Sequence, residues 1–358
     1  MHEIFELAKS GAVTPAELGY YFPAEFAPHT STWLSWPHKE ESWPGKIDTI
    51  YPRYSEFVKY VSMGERVNIN VAGESMKIFA TRHLEAAGVD MNQISFHYFP
   101  TNDAWCRDHG PAFLINPNAD VKKVLVKWDY NAWGNKYPPH DLDNQIPILI
   151  AQKLGIPCFK PGIVMEGGSV EFNGKGTLLT SKACLLNENR NPHLNQDQIE
   201  RFLQDFYRVN HILWVGDGII GDDTDGHIDD ITRFVNEDTV VTVVEENKQD
   251  ENHVILEENL MMLKQMRLEN GKQLNIVELP MPSPVIWEDQ RLPASYANFY
   301  IANQAVVVPT FRDKNDQKVL DILTQCFPDR KVVGVDSTDI IWGLGSFHCL
   351  SQQEPAVQ

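Results

Sequence analysis

One pattern governs what this chain can fold into: a strand pair, a helix and a further strand, repeated at intervals of roughly 60–70 residues. Apolar residues with helical spacing recur near 48–62, 75–88, 144–155, 195–207, 252–268 and 314–326. Each gives way to a short strand, among them Arg66–Val71, Ile94–Phe99, His211–Val215, Leu274–Leu279 and Lys331–Val335. Strand pairs lie between them. In Val170–Leu179 the chain reverses at Asn173-Gly174, a dipeptide suited to tight hairpins. Helices alternating with strands predict an α/β protein. No Gly/Ser- or Pro-rich linker separates the units, so residues 1–358 read as one α/β domain of about five units. Residues 1–30 form a lead-in, a short helical stretch followed by Tyr21–Pro28, whose prolines break any helix.

The formal net charge of -18 argues against partners that need basic surfaces, nucleic acids and anionic membranes foremost. No segment approaches the roughly 20 apolar residues that span a bilayer. The start of the chain lacks a basic segment followed by an apolar run, so no signal peptide is expected. The five cysteines are scattered, odd in number and without a CxxC pair. Free thiols in a reducing compartment, the cytoplasm, are the expectation.

Four stretches carry candidate chemistry. Gly343-Leu-Gly-Ser-Phe-His-Cys-Leu-Ser-Gln-Gln353 leads two glycines into His348 and Cys349, where a compact backbone can approach a bound group and a thiolate can act as nucleophile. Asn102-Asp-Ala-Trp-Cys-Arg-Asp-His-Gly-Pro111 crowds Asp103, Arg107, Asp108 and His109 around Trp105 in a loop between strands. Cys106 in that loop is a weaker nucleophile candidate, with a neighbouring arginine that Asp103 or Asp108 can occupy. Met165-Glu-Gly-Gly-Ser-Val-Glu171 sets Glu166 before two glycines at a strand start, again allowing close backbone approach. In Asp222-Asp-Thr-Asp-Gly-His-Ile-Asp-Asp230, His227 and Asp229 are two apart, so an extended chain points both to one side.

That acidic run also admits a divalent-metal reading on Asp222, Asp223, Asp225, His227 and Asp229, although its spacing misses the EF-hand. Inactivation by chelators and indifference to thiol reagents would mark that alternative. A silent scaffold with an unreactive Cys349 is the third. No glycine-rich phosphate loop and no GxSxG elbow is present, so no nucleotide cofactor is indicated. Trp33 and Trp36, in Thr32-Trp-Leu-Ser-Trp-Pro-His38, suit core packing, or an aromatic wall beside an aliphatic substrate chain.

With these motifs in this order, the chain resembles the agmatine deiminase family, related to the bacterial peptidylarginine deiminases within the guanidino-group-modifying superfamily. The resemblance runs nearly end to end. It extends to Phe22–Pro28, Trp128-Asp-Tyr-Asn-Ala-Trp-Gly134, Leu185-Leu-Asn-Glu-Asn-Arg-Asn-Pro192 and Ser295-Tyr-Ala-Asn-Phe-Tyr-Ile-Ala-Asn303. It implies a pentein-type α/β propeller of five ββαβ units about a pseudo-fivefold axis, assembling as dimers or higher oligomers. It further implies Cys349 as nucleophile, His227 as general acid and base, Glu166 orienting or charge-balancing His227, and Asp108 and Asp229 holding the guanidinium. Trp105 and Trp33 are candidates for the substrate's distal end. No metal or cofactor is required. Agmatine is the implied substrate, then peptidylarginine, then free arginine. Two departures flank the nucleophile and bear on that choice: Leu344 and Ser346 stand where the family commonly has Gly and Asn. Cys106 and His109 likewise replace an apolar residue and a Thr.

Overall fold

The computed structural model describes residues 2–357. Four of five sheets share one connectivity, in which an antiparallel strand pair is followed by a helix and then a strand parallel to the second. The strand triples are Ala112–Ile115, Lys123–Val126 and Cys158–Phe159; Val170–Phe172, Thr177–Ser181 and His211–Val215; Thr232–Phe234, Thr239–Val244 and Asn275–Pro280; and Tyr300–Ile301, Ala305–Thr310 and Lys331–Asp336. The crossover helices are Ile146–Leu154, Gln196–Tyr207, Asn252–Gln265 and Asp316–Cys326.

The remaining sheet is closed from both ends of the chain. His29–Ser35, Arg66–Asn70 and Ile94–His97 run parallel, joined through helices Ile47–Val61 and Glu74–Ala86. The antiparallel partner comes from Ser351–Pro355, which pairs with His29–Ser35. Chain ends some 320 residues apart in sequence therefore complete one ladder, as in Trp33 opposite Gln352. A separate hairpin, Val285–Trp287 with Gln290–Leu292, stands outside the five sheets.

The elements obey the patterns that predicted them. Helix Ile47–Val61 buries Ile50, Tyr54, Phe57, Val58 and Val61, one stripe at helical spacing, against Leu34, Val67 and Ile69. Full burial of each such side chain contributes roughly 1.5–3 kcal/mol. Helix Gln196–Tyr207 opens with a capping box, Asn195 accepting from the Gln198 amide while the Gln198 side chain accepts from Asn195. Between Val170–Phe172 and Thr177–Ser181 the turn takes four residues. Gly174 adopts φ +73°, and Asn173 Oδ1 accepts from the amides of Lys175 and Thr177.

Two local expectations are corrected. Cys106–His109 is a single helical turn, not an irregular loop. His227–Asp229 is not extended: Ile228–Asp230 forms a 3-10 turn with His227 at its N-cap. Asp222 Oδ2 accepts from the amides of Gly226 and His227, which curls the chain before the next strand begins.

Candidate active site

The same place in each repeat supplies the site. Just before the first strand of each pair the chain makes a short turn, and those turns carry Asp108, Glu166 and Gly168, His227 and Asp229, Asn298, and His348-Cys349. Each sheet thus contributes one segment to a common centre, and the core packing of its strands holds that segment still.

Cys349 lines a cleft of about 270 Å³ together with Asp108, Trp105, Trp133, Tyr137, Trp342 and Leu344. Its Sγ is 3.0 Å from Asn298 Nδ2 and 3.4 Å from Asp229 Oδ2. Asn298 Oδ1 accepts from the amides of Ser346, His348 and Cys349, at 3.2, 3.1 and 3.3 Å. One side chain therefore shapes the turn that carries Cys349. Gly345 is required there: a Cβ would stand 2.8 Å from the Trp105 ring and 3.3 Å from Sγ.

His227 is fully buried, with Nδ1 3.8 Å from Asp108 Oδ1 and 3.9 Å from Asp229 Oδ1. Neither ring nitrogen has a hydrogen-bond partner among the described residues, nor does Asp229 Oδ1. These are polar atoms poised for something else. Asp108 is fixed by Trp133 Nε1–H on Oδ2 at 2.9 Å and by the Gly168 amide on Oδ1 at 3.0 Å. A Cβ on Gly168 would lie 2.5 Å from His227 Nδ1, 2.9 Å from Asp108 Oδ1 and 3.0 Å from Asp229 Oδ2, which is why glycine stands there. Glu166 Oε1 pairs with Arg190 Nε at 2.6 Å, and Oε2 has no hydrogen-bond partner among the described residues.

Electrostatics follow from crowding carboxylates out of water. Burial, joined by Asp229, Asp230 and Asp108, pushes the Cys349 thiol well above its ordinary range, so the resting sulfur is protonated. Burial pushes Asp108 up to about 6, against the opposing pull of His227. His227 moves the other way. Burial disfavours its charge, but Asp108, Cys184 and Asp229 outweigh that and hold it well above the usual imidazole range. For Asp229, burial is overcome by His348 and His227, and the carboxylate stays charged.

Glu166, Cys184 and His227 offer ligand atoms within 4.8 Å of one another, as do Asp229, Asp230 and Cys349. Of the acidic run, His227, Asp229 and Asp230 belong to these groups, and Asp222, Asp223 and Asp225, in the earlier part of the run, do not. There, Asp222 caps its own turn, Asp223 accepts from the Tyr137 hydroxyl, and Asp225 pairs with Lys136 and Arg190.

The matched family model, Porphyromonas-type peptidyl-arginine deiminase, covers residues 21–355. The chain belongs to that family. It is 33% identical over 368 residues to the agmatine deiminase of Ectopseudomonas mendocina, covering 96% of this chain and 98% of that one. The solved agmatine deiminase of Enterococcus faecalis matches with TM-score 0.91 and 30% identity, over 97% of this chain and 99% of that one. A Cys-to-Ser variant of the C. jejuni agmatine deiminase with substrate bound matches at TM-score 0.84 and 34% identity, over 94% and 96%.

Within this deiminase scaffold the structure brings together Cys349, His227, Glu166, Asp108, Asp229 and Trp105. Trp33 is a correction. It is fully buried, donates from Nε1 to Glu354, stacks near His97 and packs with Phe113, Leu125 and Ile150, away from the cleft. Its strand is central in the sheet, paired on both edges, and the face that carries Trp33 is covered by Phe113, Leu125 and Ile150. Cys106 is also buried, and its thiol is pushed up to about 12 chiefly by burial. Asn298 and Trp133 escaped the sequence reading although their motifs had been noticed. Nothing local distinguishes an asparagine that meets a cysteine 51 residues away.

Proposed function

We propose that this protein is an agmatine deiminase, hydrolysing agmatine to N-carbamoylputrescine and ammonia. The observation that carries the reading is the unpartnered Asp229 Oδ1 beside Asp108, facing a buried imidazole over a thiol. A buried carboxylate oxygen without a hydrogen-bond partner calls for a donor, and a planar fork of N–H donors is the cation whose carbon then lies near sulfur.

The reaction runs through this chain's own groups. The guanidinium offsets the carboxylates that keep Cys349 protonated, so the thiol gives up its proton to solvent as substrate settles in place. The groups that contact the sulfur are the Asn298 amide and the Asp229 carboxylate. Sγ adds to the guanidinium carbon. Protonated His227 delivers its proton to one nitrogen, the C–N bond breaks and ammonia leaves, giving a covalent thiouronium. Neutral His227 then takes a proton from water, the hydroxide adds to carbon, and the C–S bond breaks to release the ureido product and the cysteine.

The cleft lining favours agmatine over peptidylarginine. It includes Glu41, Asp103 and Asp223 against Lys39, which is itself 3.5 Å from Asp103. An acidic lining suits a distal ammonium and gives an α-carboxylate little to hold. The product is consistent with a role in putrescine formation. The five cysteines are free, in keeping with a cytoplasmic setting. The five like sheets, closed by Ser351–Pro355, support a propeller about a pseudo-fivefold axis. The test compares ammonia and ureido-product formation from agmatine, peptidylarginine and free arginine, with Cys349→Ala and added chelator as controls. Turnover of agmatine, lost in the variant and indifferent to chelator, is expected. Turnover surviving in Cys349→Ala, or preference for peptidylarginine, would refute the assignment.

A further inference from the structure

His348, the residue before the nucleophile, is gripped at both ring nitrogens. Nδ1 is 2.6 Å from Asp229 Oδ2, and Nε2 is 2.8 Å from Glu25 Oε2, with the ring 1% exposed. Glu25 comes from the proline-broken segment near the other end of the chain. Its Oε2 also takes Arg107 Nη2 at 2.9 Å, while Oε1 takes Arg233 Nη2 at 2.9 Å and the Ile301 amide at 2.8 Å. Every Glu25 oxygen is thus doubly occupied, so its place is set by three other units of the fold.

A neutral imidazole has one N–H and one lone pair. Between two carboxylates it would turn a lone pair on one of them, and only the doubly protonated ring donates to both. The charges agree. Glu25, Glu171 and Asp229 are the anions of this buried set, and Arg107, Arg233 and His348 are its cations. With His348 protonated the set sums to zero; with it neutral, one buried negative charge is left over.

We infer that His348 is a positioning residue: an imidazolium anchored by Glu25 that pins Asp229 Oδ2 and so leaves Oδ1 as the oxygen offered to the guanidinium. Terminal carboxylate torsions are broad and roughly two-fold, so an unpinned Asp229 would sample other orientations. Pinning also keeps Oδ2, 3.4 Å from Sγ, in register with the thiol. The inference rests on Asp229 being a guanidinium clamp, as proposed above.

Two substitutions separate the nitrogens. In His348→Asn the amide nitrogen falls near Nδ1 and can still donate to Asp229; in His348→Gln it falls near Nε2 and can reach only Glu25. With circular dichroism and thermal unfolding confirming that both fold, His348→Asn should keep kcat/KM for agmatine within roughly tenfold of the parent. His348→Gln should lose roughly 10–100-fold or more, about the worth of a hydrogen bond to a charged group. Part of that loss should be a raised KM. Equal losses, no loss, or the reverse order would overturn the inference, because a merely structural role does not distinguish the two nitrogens. Should either variant fail to fold, 15N-histidine NMR of the unmutated enzyme decides. Protons on both His348 nitrogens at pH 7 support it, and a single-proton tautomer overturns it. Failure of the unmutated enzyme to turn over agmatine would sink the functional reading separately, and the NMR result would still report on the ring.

Discussion

At the scale of single residues, the site is a set of carboxylates held out of water, and its pH behaviour follows. Asp108, raised to about 6 mainly by burial, must be ionised to hold a guanidinium. Since kcat/KM reports groups of the free enzyme, it should fall below about pH 6 with a limiting slope of one. A profile flat down to pH 5 would contradict this. The same shift has a stability sign. The native carboxyl binds its proton more tightly than the unfolded one, whose value is near 3.8, so Asp108 disfavours folding increasingly as pH rises from about 4 to about 6. For Gly168→Ala, a Cβ 2.5 Å from His227 Nδ1 should leave a folded protein with turnover down by roughly 100-fold or more, checked by steady-state kinetics beside thermal unfolding. Much of this site was legible in the sequence because its residues announce themselves locally. A cysteine after two glycines, a histidine and aspartate two apart and a glutamate before paired glycines are all unusual. Trp33 misled because strand alternation does not say which face is buried, and here both are. Asn298 and Glu25 act wholly through contacts made across the chain, to which local pattern is blind.

At the scale of elements, helices and parallel strands were read to within a few residues because their apolar periodicity is the packing itself. Ile50, Tyr54, Phe57 and Val61 both predict a helix and form its buried face. The two catalytic turns were not read, since their shape comes from capping by Asp222 and from the close approach of neighbouring turns. The capping box at Asn195 gives a simple check. Asn195→Ala should lower stability by about 1 kcal/mol without changing activity, measured by urea unfolding and an ammonia assay. The closing strand offers a harsher one. Deleting 351–357 removes the antiparallel partner of His29–Ser35 and also Glu354, which accepts from Ser31, Trp33 and Lys123. That deletion should yield insoluble or unfolded protein. A soluble fragment with a cooperative melt would show that the ladder is dispensable.

At the scale of the whole molecule, a formal net charge of -18 surrounds a site built for a cation. Long-range attraction should speed encounter with agmatine and weaken as salt shortens the Debye length, from about 10 Å at 0.1 M to about 3 Å at 1 M. Accordingly kcat/KM should decline with added salt while kcat changes little. A salt-independent kcat/KM would assign the acidic surface to solubility alone. Repetition was legible at this scale too, as the spacing of strand pairs and helices. What the spacing could not reveal is that the first sheet borrows its antiparallel strand from residues 351–355.

That borrowed strand has a consequence for the protein's birth. On the proposed function, the nucleophile Cys349 sits two residues before it, and the neighbouring His348 imidazole meets Glu25, made more than 300 residues earlier. A ribosome that has finished the first four-fifths of the message has made Asp108, Asp229 and His227 but not Cys349. The segment that completes the first sheet is therefore also the one that delivers the proposed nucleophile.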